Sequence, residues 1–231
     1  MTTVVITGAN RGLGLALAQH HVAQGATVIG GCRKPSVAEA LAAAGAEVHP
    51  LDMESGESIT AFGAAVGDRP VDLLYNNAGI DARAVGASET ARGALDLTEA
   101  QFRSVMDINV LGPMLMVQAL ASNLVAAGGK IVNVSSQVGS IQVAQRIGSD
   151  IAYTTSKAAL NMLTLKQSQA LRSDGVTVIA LHPGWLRSDM GGSRADLEPA
   201  VAAKSIADVV ANLTIDQTGT FLRWDGSTHP W

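Results

Sequence analysis

Short apolar runs recur along the chain, and longer segments with helical periodicity lie between them. Most runs are apolar on both faces, which is typical of parallel strands covered by helices on both sides. Between the runs, residues 13–25 and 152–175 have helical periodicity and end at glycine. Seven runs are predicted as strands: TTVVIT, ATVIGG, AEVHPL, VDLLYN, GKIVNVSS, GVTVIALHP and TGTFLRW. Their alternation with helices predicts an α/β fold, a doubly wound parallel sheet.

Two irregular stretches interrupt this pattern, Gly79–Leu97 and Pro183–Glu198. Loops of this length in a compact fold tend to be functional. Both follow predicted strand ends, the edge at which doubly wound sheets bind ligands. They are therefore predicted to form the substrate loops of one domain spanning residues 1–231.

Composition narrows the class of protein. The 231 residues are 47% hydrophobic and 16% charged, which indicates a globular chain rather than a disordered one. The net charge of −4 gives no basic footprint for nucleic acid. The only cysteine, Cys32, excludes an intrachain disulfide and fits a reducing compartment. No signal peptide and no apolar run of roughly 20 residues is visible, so a soluble, cytoplasmic protein without membrane partners is expected.

The first predicted strand runs into TGANRGLG, in which Gly8, Gly12 and Gly14 precede a helix. Glycine allows a tight turn and a close approach of a pyrophosphate, while the helix N-terminus supplies free N–H donors. Three glycines alone could form an ordinary turn, but the strand before them and the helix after them favour a dinucleotide site of the Rossmann type.

The end of the second predicted strand reads GGCRKP, with Cys32 where an NAD-binding protein usually has an acidic residue. Arg33 and Lys34 follow, and Arg11 lies inside the glycine loop. These cations could be solvated surface charges. Because they would attract a ribose 2′-phosphate, they favour NADP(H) as the cofactor.

Tyr153 and Lys157 are four residues apart in a predicted helix and therefore share one helix face. They could form an ordinary surface pair, or a proton donor with the cation that tunes it. A unit charge ~4 Å away at an effective dielectric of ~20 contributes ~4 kcal/mol, about three pKa units. On this basis Lys157 is expected to lower the pKa of Tyr153 towards neutral pH.

Six segments, taken together and in order, carry a family resemblance. They are TGANRGLG, NNAG at 76–79, DINV around Asn109, VNVSSQVGS at 132–140, YTTSK at 153–157 and PGWLRSDM at 183–190. The chain resembles the short-chain dehydrogenase/reductase family over nearly its whole length. HPGWLRSDMGG and FLRWDGSTHPW further resemble the C-factor-like carbonyl reductase branch.

The resemblance implies roles for individual residues. It implies a catalytic tetrad of Asn109, Ser136, Tyr153 and Lys157; Ser136 is preferred to Ser135 because it fits the family's S-x-x-G pattern with Gly139. It also implies a set of residues that contact the cofactor. Asn76 is not among them, because it is expected to brace the fourth strand. These contacts are Gly8, Asn10, Arg11, Gly12, Leu13, Gly14, Arg33, Asp52, Met53, Asn77, Ala78, Gly79, Tyr153, Lys157, Pro183, Gly184, Leu186 and Ser188.

In one respect the chain departs from the family. The 17 positions from Ser136 to Tyr153 exceed the usual spacing, and the additional residues within 143–150 are expected to extend a loop beside the substrate cleft. Trp185 could cap the substrate or pack on a neighbouring helix. Residues 193–198, after two glycines, are expected to act as a lid over the nicotinamide.

The resulting functional hypothesis is an NADP(H)-dependent oxidoreductase that transfers hydride between nicotinamide and a carbonyl or alcohol substrate, with Tyr153 as general acid/base. The alternative is a cofactor-sensing or signalling protein on the same fold. The family usually pairs through helices that correspond here to 98–127 and 150–173, so a homodimer or homotetramer is expected. His20 and His21 lack partners at ligand spacing, so no metal site is predicted, and Met114, Met116 and Met162 are predicted to fill the core.

Overall fold

A computed structural model of the chain describes residues 2–148 and 150–231. Its strands are β1 (Thr3–Thr7), β2 (Thr27–Cys32), β3 (Glu47–Pro50), β4 (Leu73–Asn76), β5 (Lys130–Val134), β6 (Thr177–His182) and β7 (Phe221–Arg223). Its helices are α1 (Gly12–Ala23), α2 (Glu39–Ala43), α3 (Gly56–Val66), α4 (Glu99–Met106), α5 (Gly112–Ala119), α6 (Ala121–Ala127), α7 (Ile141–Ala144), α8 (Ile151–Leu171) and α9 (Pro199–Ala211).

The seven strands form one sheet in the order β3-β2-β1-β4-β5-β6-β7, and every neighbouring pair is parallel. The predicted doubly wound, Rossmann-type sheet is confirmed. The order reverses between β1 and β4, so a crevice opens there at the carboxyl ends of the strands. The segments that follow these two strands, the glycine loop and residues 76–79, border that crevice.

Alternate residues of the strands feed two apolar layers, one on each face of the sheet. In β1, Val4 and Ile6 pack with α1, α2 and α9, whereas Val5 packs on the opposite face with α3, α5 and α6. Phe62 of α3 is 1% exposed, and burying an aromatic side chain of this size contributes about 1.5–3 kcal/mol. The layers hold the sheet rigid beneath the site.

The segment 98–127, predicted as one long helix, is three shorter helices: a π-helical turn, Asp107–Leu111, joins α4 to α5, and α6 follows a 63° bend at Leu120. Thr98 starts α4 with a capping box, since it exchanges hydrogen bonds with Gln101. At the turn, a Cβ on Gly112 would lie 2.7 Å from the backbone oxygen of Met53, so only glycine fits there. The π-helical turn carries the buried Asn109, and widened turns of this kind are frequent at functional sites.

Two of the methionines assigned to the core behave differently from one another. Met116 is fully buried among α5 neighbours, as predicted. Met162 on α8 is 57% exposed, so its assignment to the core was wrong. The helix period places Met162 on the face of α8 that points away from the sheet.

Among the residues described, no single helix is long and apolar enough to cross a membrane; the segments 99–119 and 121–127 reach that length and composition only as a pair bent by 63°.

Candidate active site

The glycine loop between β1 and α1 forms a cradle for an anion. Gly8 and Gly12 have φ angles of 65° and 53°, which L side chains rarely adopt. A Cβ on Gly14 would lie 2.6 Å from the side-chain nitrogen of Asn77, so the first helical turn can approach β4 only as glycine. Arg11 precedes α1 without capping it in the described structure, which leaves the N–H groups of the first turn free for a ligand.

Thr7 fastens this loop to the end of β4. Its hydroxyl accepts hydrogen bonds from the backbone N–H groups of Asn77 and Ala78 at 3.0 and 2.9 Å. The Asn77 side chain donates to the Thr7 carbonyl at 2.9 Å. Asn76 instead donates to the Asn133 side chain at 2.8 Å, within the sheet. The structure therefore places residues 77–79 on the crevice and gives Asn76 the bracing position expected for it.

The predicted adenosine end lies at the carboxyl ends of β2 and β3. Cys32 is buried, while Arg33 and Lys34 are exposed beyond it. Asp52 is partly buried and its side chain accepts a hydrogen bond from the Glu54 N–H at 3.1 Å. Met53 packs its side chain in the core, so only its backbone can face a ligand. The exposed cations Arg33 and Lys34 therefore lie at the position where a carboxylate, if present, would repel a phosphate.

The loop after β6 closes the other side of the crevice. The predicted contact residues Pro183, Gly184, Leu186 and Ser188 all lie in it, and a Cβ on Gly12 would lie 3.9 Å from the side chain of Ser188. Arg11 forms an ion pair with Asp189, both on exposed side chains. The glycine loop and this loop thus face each other across a gap and are joined at its rim.

The predicted lid residues are already fastened to this loop. The N–H of Arg187 donates to the Leu197 carbonyl at 2.9 Å, and that of Leu197 donates to the Trp185 carbonyl at 3.2 Å. The Arg187 side chain also binds the Ala195 carbonyl and the Glu198 carboxylate. Residues 195–198 are therefore held by Arg187 and Trp185. The segment between 188 and 194 has attachments of its own, since the Trp185 ring nitrogen donates to the Gly191 carbonyl at 2.9 Å and the Gly192 N–H donates to the Ser188 carbonyl at 2.8 Å.

Ser136 and Ser135 have different surroundings. Ser135 is 2% exposed and its hydroxyl donates to the Asn161 side chain at 2.6 Å. Ser136 begins the short turn Gln137–Gly139, where its hydroxyl accepts from the Val138 N–H at 3.4 Å, and it lies close enough to Tyr153 to affect the pKa of that phenol. Ser136 is thus the serine that reaches the tyrosine, as the family pattern implies.

Tyr153 lies in the first turn of α8, whose N-cap is Asp150; the Asp150 carboxylate accepts from the Tyr153 N–H at 2.9 Å. Burial raises the pKa of Tyr153 to about 12, and the nearby carboxylates of Asp81 and Asp150 add to that rise, while the contact with Ser136 opposes it. The protein's own charges therefore keep this phenol protonated at neutral pH.

Lys157 does not lower the pKa of Tyr153 as expected from the sequence. Its Nζ donates to the Val134 carbonyl at 2.8 Å and lies 5.6 Å from the centre of the Tyr153 ring. Burial lowers the pKa of Lys157 to about 8. The expectation was wrong for the protein alone, because it counted the cation and omitted desolvation and the two carboxylates.

Asn109 is held at the base of the site. Its amide oxygen accepts from the Ile80 N–H at 2.9 Å, and its nitrogen donates to the Ile80 carbonyl at 2.8 Å and the Ser156 hydroxyl at 2.9 Å. The four predicted tetrad residues thus converge from a π-helical turn, the end of β5 and α8. A Cβ on Gly79 would lie 3.4 Å from the Lys157 nitrogen and 3.2 Å from the Asn109 oxygen, so these groups share one small volume.

A cavity of about 510 Å³ opens at Tyr153, and we refer to it as the Tyr153 cavity. Its walls come from the loop after β4, the turn after β5, the start of α8 and the loop after β6: Arg92, Gln137, Val138, Ile147, Gly148, Asp150, Tyr153, Thr154 and Trp185. The additional residues before Tyr153 contribute Ile147 and Gly148, so they do border the cleft. A slightly larger cavity, of about 570 Å³, lies between α4 and Ile151 and contains none of the tetrad.

An ion-pair network that the sequence analysis did not find joins the two substrate loops. The Arg83 guanidinium bonds the Asp81 carboxylate at 2.5 Å, Glu89 at 3.0 Å and the Met190 carbonyl at 2.7 Å. Arg92 bonds Glu89 at 2.6 Å. No local sequence pattern predicts a contact between positions 83 and 190, because these positions meet only when the sheet brings both loops to one edge.

Within the described residues, no cluster of three or more His, Cys, Asp or Glu side chains could hold a metal ion. His21 instead hydrogen-bonds the Tyr75 hydroxyl at 3.1 Å, and burial lowers the pKa of His21 to about 4. The two histidines on α1 therefore serve packing.

Comparisons with known proteins agree with this geometry. The chain is 36% identical to C-signal of Myxococcus xanthus over 172 residues, which cover 74% of this chain and 99% of that protein. It is 32% identical to 1-hydroxy-2-glutathionyl-2-methyl-3-butene dehydrogenase of Rhodococcus sp., with both chains fully covered.

Among solved structures, the NADPH-bound carbonyl reductase from chicken fatty liver superposes with a TM-score of 0.88 at 33% identity, covering 100% of this chain and 99% of that one. The carbonyl reductase Sniffer of Drosophila melanogaster gives a TM-score of 0.88 at 30% identity, with both chains fully covered. The family profile described as short chain dehydrogenase matches residues 2–198. This protein is a member of the short-chain dehydrogenase/reductase family.

Proposed function

We propose that the protein is an NADP(H)-dependent carbonyl reductase that acts on aldehydes or ketones. The observation that carries this proposal is the contact between Ser136 and a protonated Tyr153 at the base of an open cavity, next to Lys157. A nicotinamide cofactor, when bound, supplies or receives the hydride. The glycine cradle, with its free N–H donors and the cations around it, fits the pyrophosphate and the 2′-phosphate of such a group.

Tyr153 is suited to donate a proton to the carbonyl oxygen of a substrate while the carbonyl carbon is reduced. Its raised pKa keeps the proton in place before reaction. Ser136, in contact with the tyrosine, would donate a second hydrogen bond to the same oxygen, which stabilises the charge that develops there. Both donors come from elements fixed on the sheet, so the substrate oxygen has a defined position.

Lys157 would take part in two ways. Its buried ammonium donates one hydrogen bond to the described part of the protein, to the Val134 carbonyl. Its remaining N–H donors are therefore available to the ribose hydroxyls of the cofactor. A pKa of about 8 places the ionisation of Lys157 close to neutral pH, where a proton can return through it to the tyrosine.

Asn109 is proposed to support this proton return by fixing the segments at the base of the site. Its side chain satisfies both backbone groups of Ile80 and reaches Ser156, one residue before Lys157. It thereby ties the segment after β4 to the helix that carries Tyr153 and Lys157. A water positioned on this assembly could connect Lys157 to the surface.

The preference for NADP(H) rests on charge. Among the described residues, Arg33 forms no ion pair, so its guanidinium is available to a phosphate at the end of β2. Solved structures similar to this one include a carbonyl reductase with bound NADPH and a Burkholderia multivorans short-chain dehydrogenase/reductase with bound NADP, the latter at a TM-score of 0.85 and 28% identity. These likenesses support the proposal for this chain.

A second candidate is a signalling or cofactor-sensing protein. Its support is the 36% identity to a protein named C-signal. A sensor needs cofactor binding but has no need of a proton donor in contact with Ser136. Turnover therefore distinguishes the two functions.

The experiment is a turnover assay with a panel of aldehydes and ketones, using NADPH and NADH in parallel. We expect NADPH oxidation that depends on the carbonyl and is lost in Tyr153→Phe. Tight NADPH binding without turnover of any carbonyl would contradict the reductase and favour the sensor.

A homodimer or homotetramer remains our proposal for the assembly. Leu111 and Val125, on the π-helical turn and α6, are exposed, and Met162 lies exposed on α8. Apolar side chains on the helices that the family uses for pairing support an interface there. Light scattering of the purified protein gives the oligomeric mass directly, and a monomer at all concentrations would contradict the proposal.

A further inference from the structure

The segment after β7 folds back onto the active-site edge of the sheet. Residues 224–231, which we call the His229 segment, turn at Gly226 and run antiparallel to β7. The Arg223 N–H donates to the Ser227 carbonyl at 2.8 Å, and the His229 N–H donates to the Phe221 carbonyl at 2.8 Å. This return fixes the direction in which the last three side chains point.

His229 is buried between two loops that carry the proposed site. Its side chain is 6% exposed, and its ring lies 4.7 Å from the Phe221 ring and 5.6 Å from the His182 ring. Its imidazole also lies next to the backbone of Gln137, the residue after Ser136. Since His182 precedes Pro183, the imidazole touches both the serine turn and the start of the nicotinamide-side loop.

Trp231 secures the same turn from its other end. The fully buried Ser140 donates its hydroxyl hydrogen to the Trp231 carbonyl at 2.9 Å. The Trp231 ring lies 5.4 Å from that of Phe221. The turn from Gln137 to Ser140 is therefore held at both ends by the His229 segment.

The position of the turn from Gln137 to Ser140 matters because of the residues that it carries. Gly139 lies so close to α8 that a Cβ there would be 2.8 Å from the Lys157 carbonyl carbon, so the turn has no slack on that side. Gln137 and Val138 line the Tyr153 cavity, and Ser140 starts α7, which leads into its outer wall. A shift of the turn would move Ser136 and two walls of the cavity together.

Packing alone does not account for a histidine at this place. Burying an imidazole costs free energy unless its polar atoms are bonded. Among the described residues the Nε2 of His229 and the Nδ1 of His182 have no partner. An apolar ring would fill the space without that cost, so what the histidine adds is a polar group beside the Gln137 backbone.

We propose that His229 and Trp231 are positioning residues that hold the Ser136 turn at the geometry that reaction requires, and that this role rests on the proposed reductase function. Their effect passes through the turn, so it concerns the alignment of Ser136 and the cavity wall and leaves the distant dinucleotide cradle unchanged.

The test compares three variants of the full chain. His229→Phe keeps an aromatic ring on Phe221 but removes the polar ring atoms beside the Gln137 backbone. His229→Asn is smaller but keeps a donor, and Thr228→Ala, an exposed neighbour on the same segment, is the matched control. Each is measured for hydrogen exchange of residues 137–148 without nucleotide, for the NADPH dissociation constant, and for kcat and KM.

We expect His229→Phe to speed exchange in the 137–148 region and to lower kcat/KM about tenfold or more, since small misplacements of catalytic groups cost this much. NADPH affinity should not change, His229→Asn should recover part of the loss, and Thr228→Ala should match the unmodified protein.

Two results would overturn the positioning role. One is His229→Phe with unchanged exchange and unchanged kcat/KM. The other is faster exchange over the whole sheet with weaker NADPH binding, which would mean that His229 only stabilises the fold. If the unmodified protein reduces no carbonyl at all, the proposed function fails, and the exchange of residues 137–148 still decides whether His229 holds the turn.

Discussion

The Nζ atom of Lys157 donates a 2.8 Å hydrogen bond to the backbone carbonyl of Val134, and it does so from a side chain that is only 4% exposed. A buried ammonium with one neutral partner is costly, since desolvation disfavours its charge. Burial lowers the pKa of this lysine to about 8 from an ordinary 10.5. Keeping a cation at this place therefore lowers the stability of the fold, which indicates that the cation has a function.

That cost can be measured as a pH dependence of stability. Because the folded-state pKa is lowered, the unfolded chain binds more protons between pH 8 and 10.5, and stability rises with pH across this window. Lys157→Met removes the titration. The free energy of unfolding of the unmodified protein, relative to this variant, should rise by about 2–3 kcal/mol from pH ~7 to ~10.

The measurement is urea unfolding of both proteins across that range without nucleotide. Lys166→Met, on the exposed face of the same helix, serves as the control and should show no such rise. A constant difference between the unmodified protein and Lys157→Met would mean that the lysine is not buried as described.

The second prediction uses the chain's two tyrosines as a pair. Tyr153→Phe removes the proposed proton donor and keeps the ring, so folding and NADPH affinity should survive while kcat falls by at least ~10²–10⁴. Tyr75→Phe removes a buried hydroxyl that bonds His21 at 3.1 Å, outside the site. It should lower stability and leave kcat unchanged.

Rapid-mixing measurement of a single turnover isolates the chemical step in both variants. A Tyr153→Phe protein that retained more than about a tenth of the original rate would show that this tyrosine is not the proton donor.

Much of the fold and of the site's composition could be predicted because the signals are local. Apolar runs of strand length report the parallel sheet, and the carboxyl ends of those strands must meet at one edge. Residues as far apart as Asn77, Ser136 and Ser188 were assigned to the site by the family resemblance, and each of them follows a strand whose carboxyl end lies at that edge.

The rest depended on contacts that no local pattern encodes. The hydrogen bond from Arg83 to Met190 and the contact of His229 with Gln137 join positions about 90 or more residues apart. The pKa of Tyr153 was misjudged for the same reason. Helix spacing locates one neighbouring charge, but the desolvation and the carboxylates of Asp81 and Asp150 are tertiary.

The third prediction concerns cofactor choice. Arg33 is exposed directly after β2 and forms no ion pair within the described part of the chain, and a charge-assisted contact with a 2′-phosphate contributes ~1.5–3 kcal/mol. NADPH should therefore bind at least ~10-fold more tightly than NADH. Arg33→Asp should erase or reverse this preference, because a carboxylate repels the phosphate and accepts from a ribose hydroxyl.

Dissociation constants from titration of the cofactor's fluorescence, at low and high salt, provide the check. Lys166→Asp changes the net charge equally and lies away from the crevice, so it should keep the preference. Equal affinities for the two cofactors in the unmodified protein would contradict an NADP(H) site.

The last prediction locates the mobile part of the loop after β6. The sequence pointed to residues 193–198, but Ala195, Leu197 and Glu198 are tied to Trp185 and Arg187. The stretch between 188 and 194 lies beside Gly12, and it is joined to distant parts of the chain through side chains, by the Arg11–Asp189 ion pair and the bond from Arg83 to the Met190 carbonyl. We therefore expect NADPH to slow hydrogen exchange mainly at residues 188–194, whereas the Arg187 and Leu197 amides should exchange slowly even without nucleotide.

The ion pair between Arg11 and Asp189 supplies a variant for this measurement. Asp189→Asn removes the attachment of the stretch to the glycine loop, so residues 188–194 should exchange faster without nucleotide and show a larger slowing when NADPH binds. Arg187→Ala should instead release residues 195–198, since it removes the side-chain bonds to Ala195 and Glu198. Strong protection of 188–194 before any nucleotide is added would show that this loop is rigid and that the crevice is accessible without its movement.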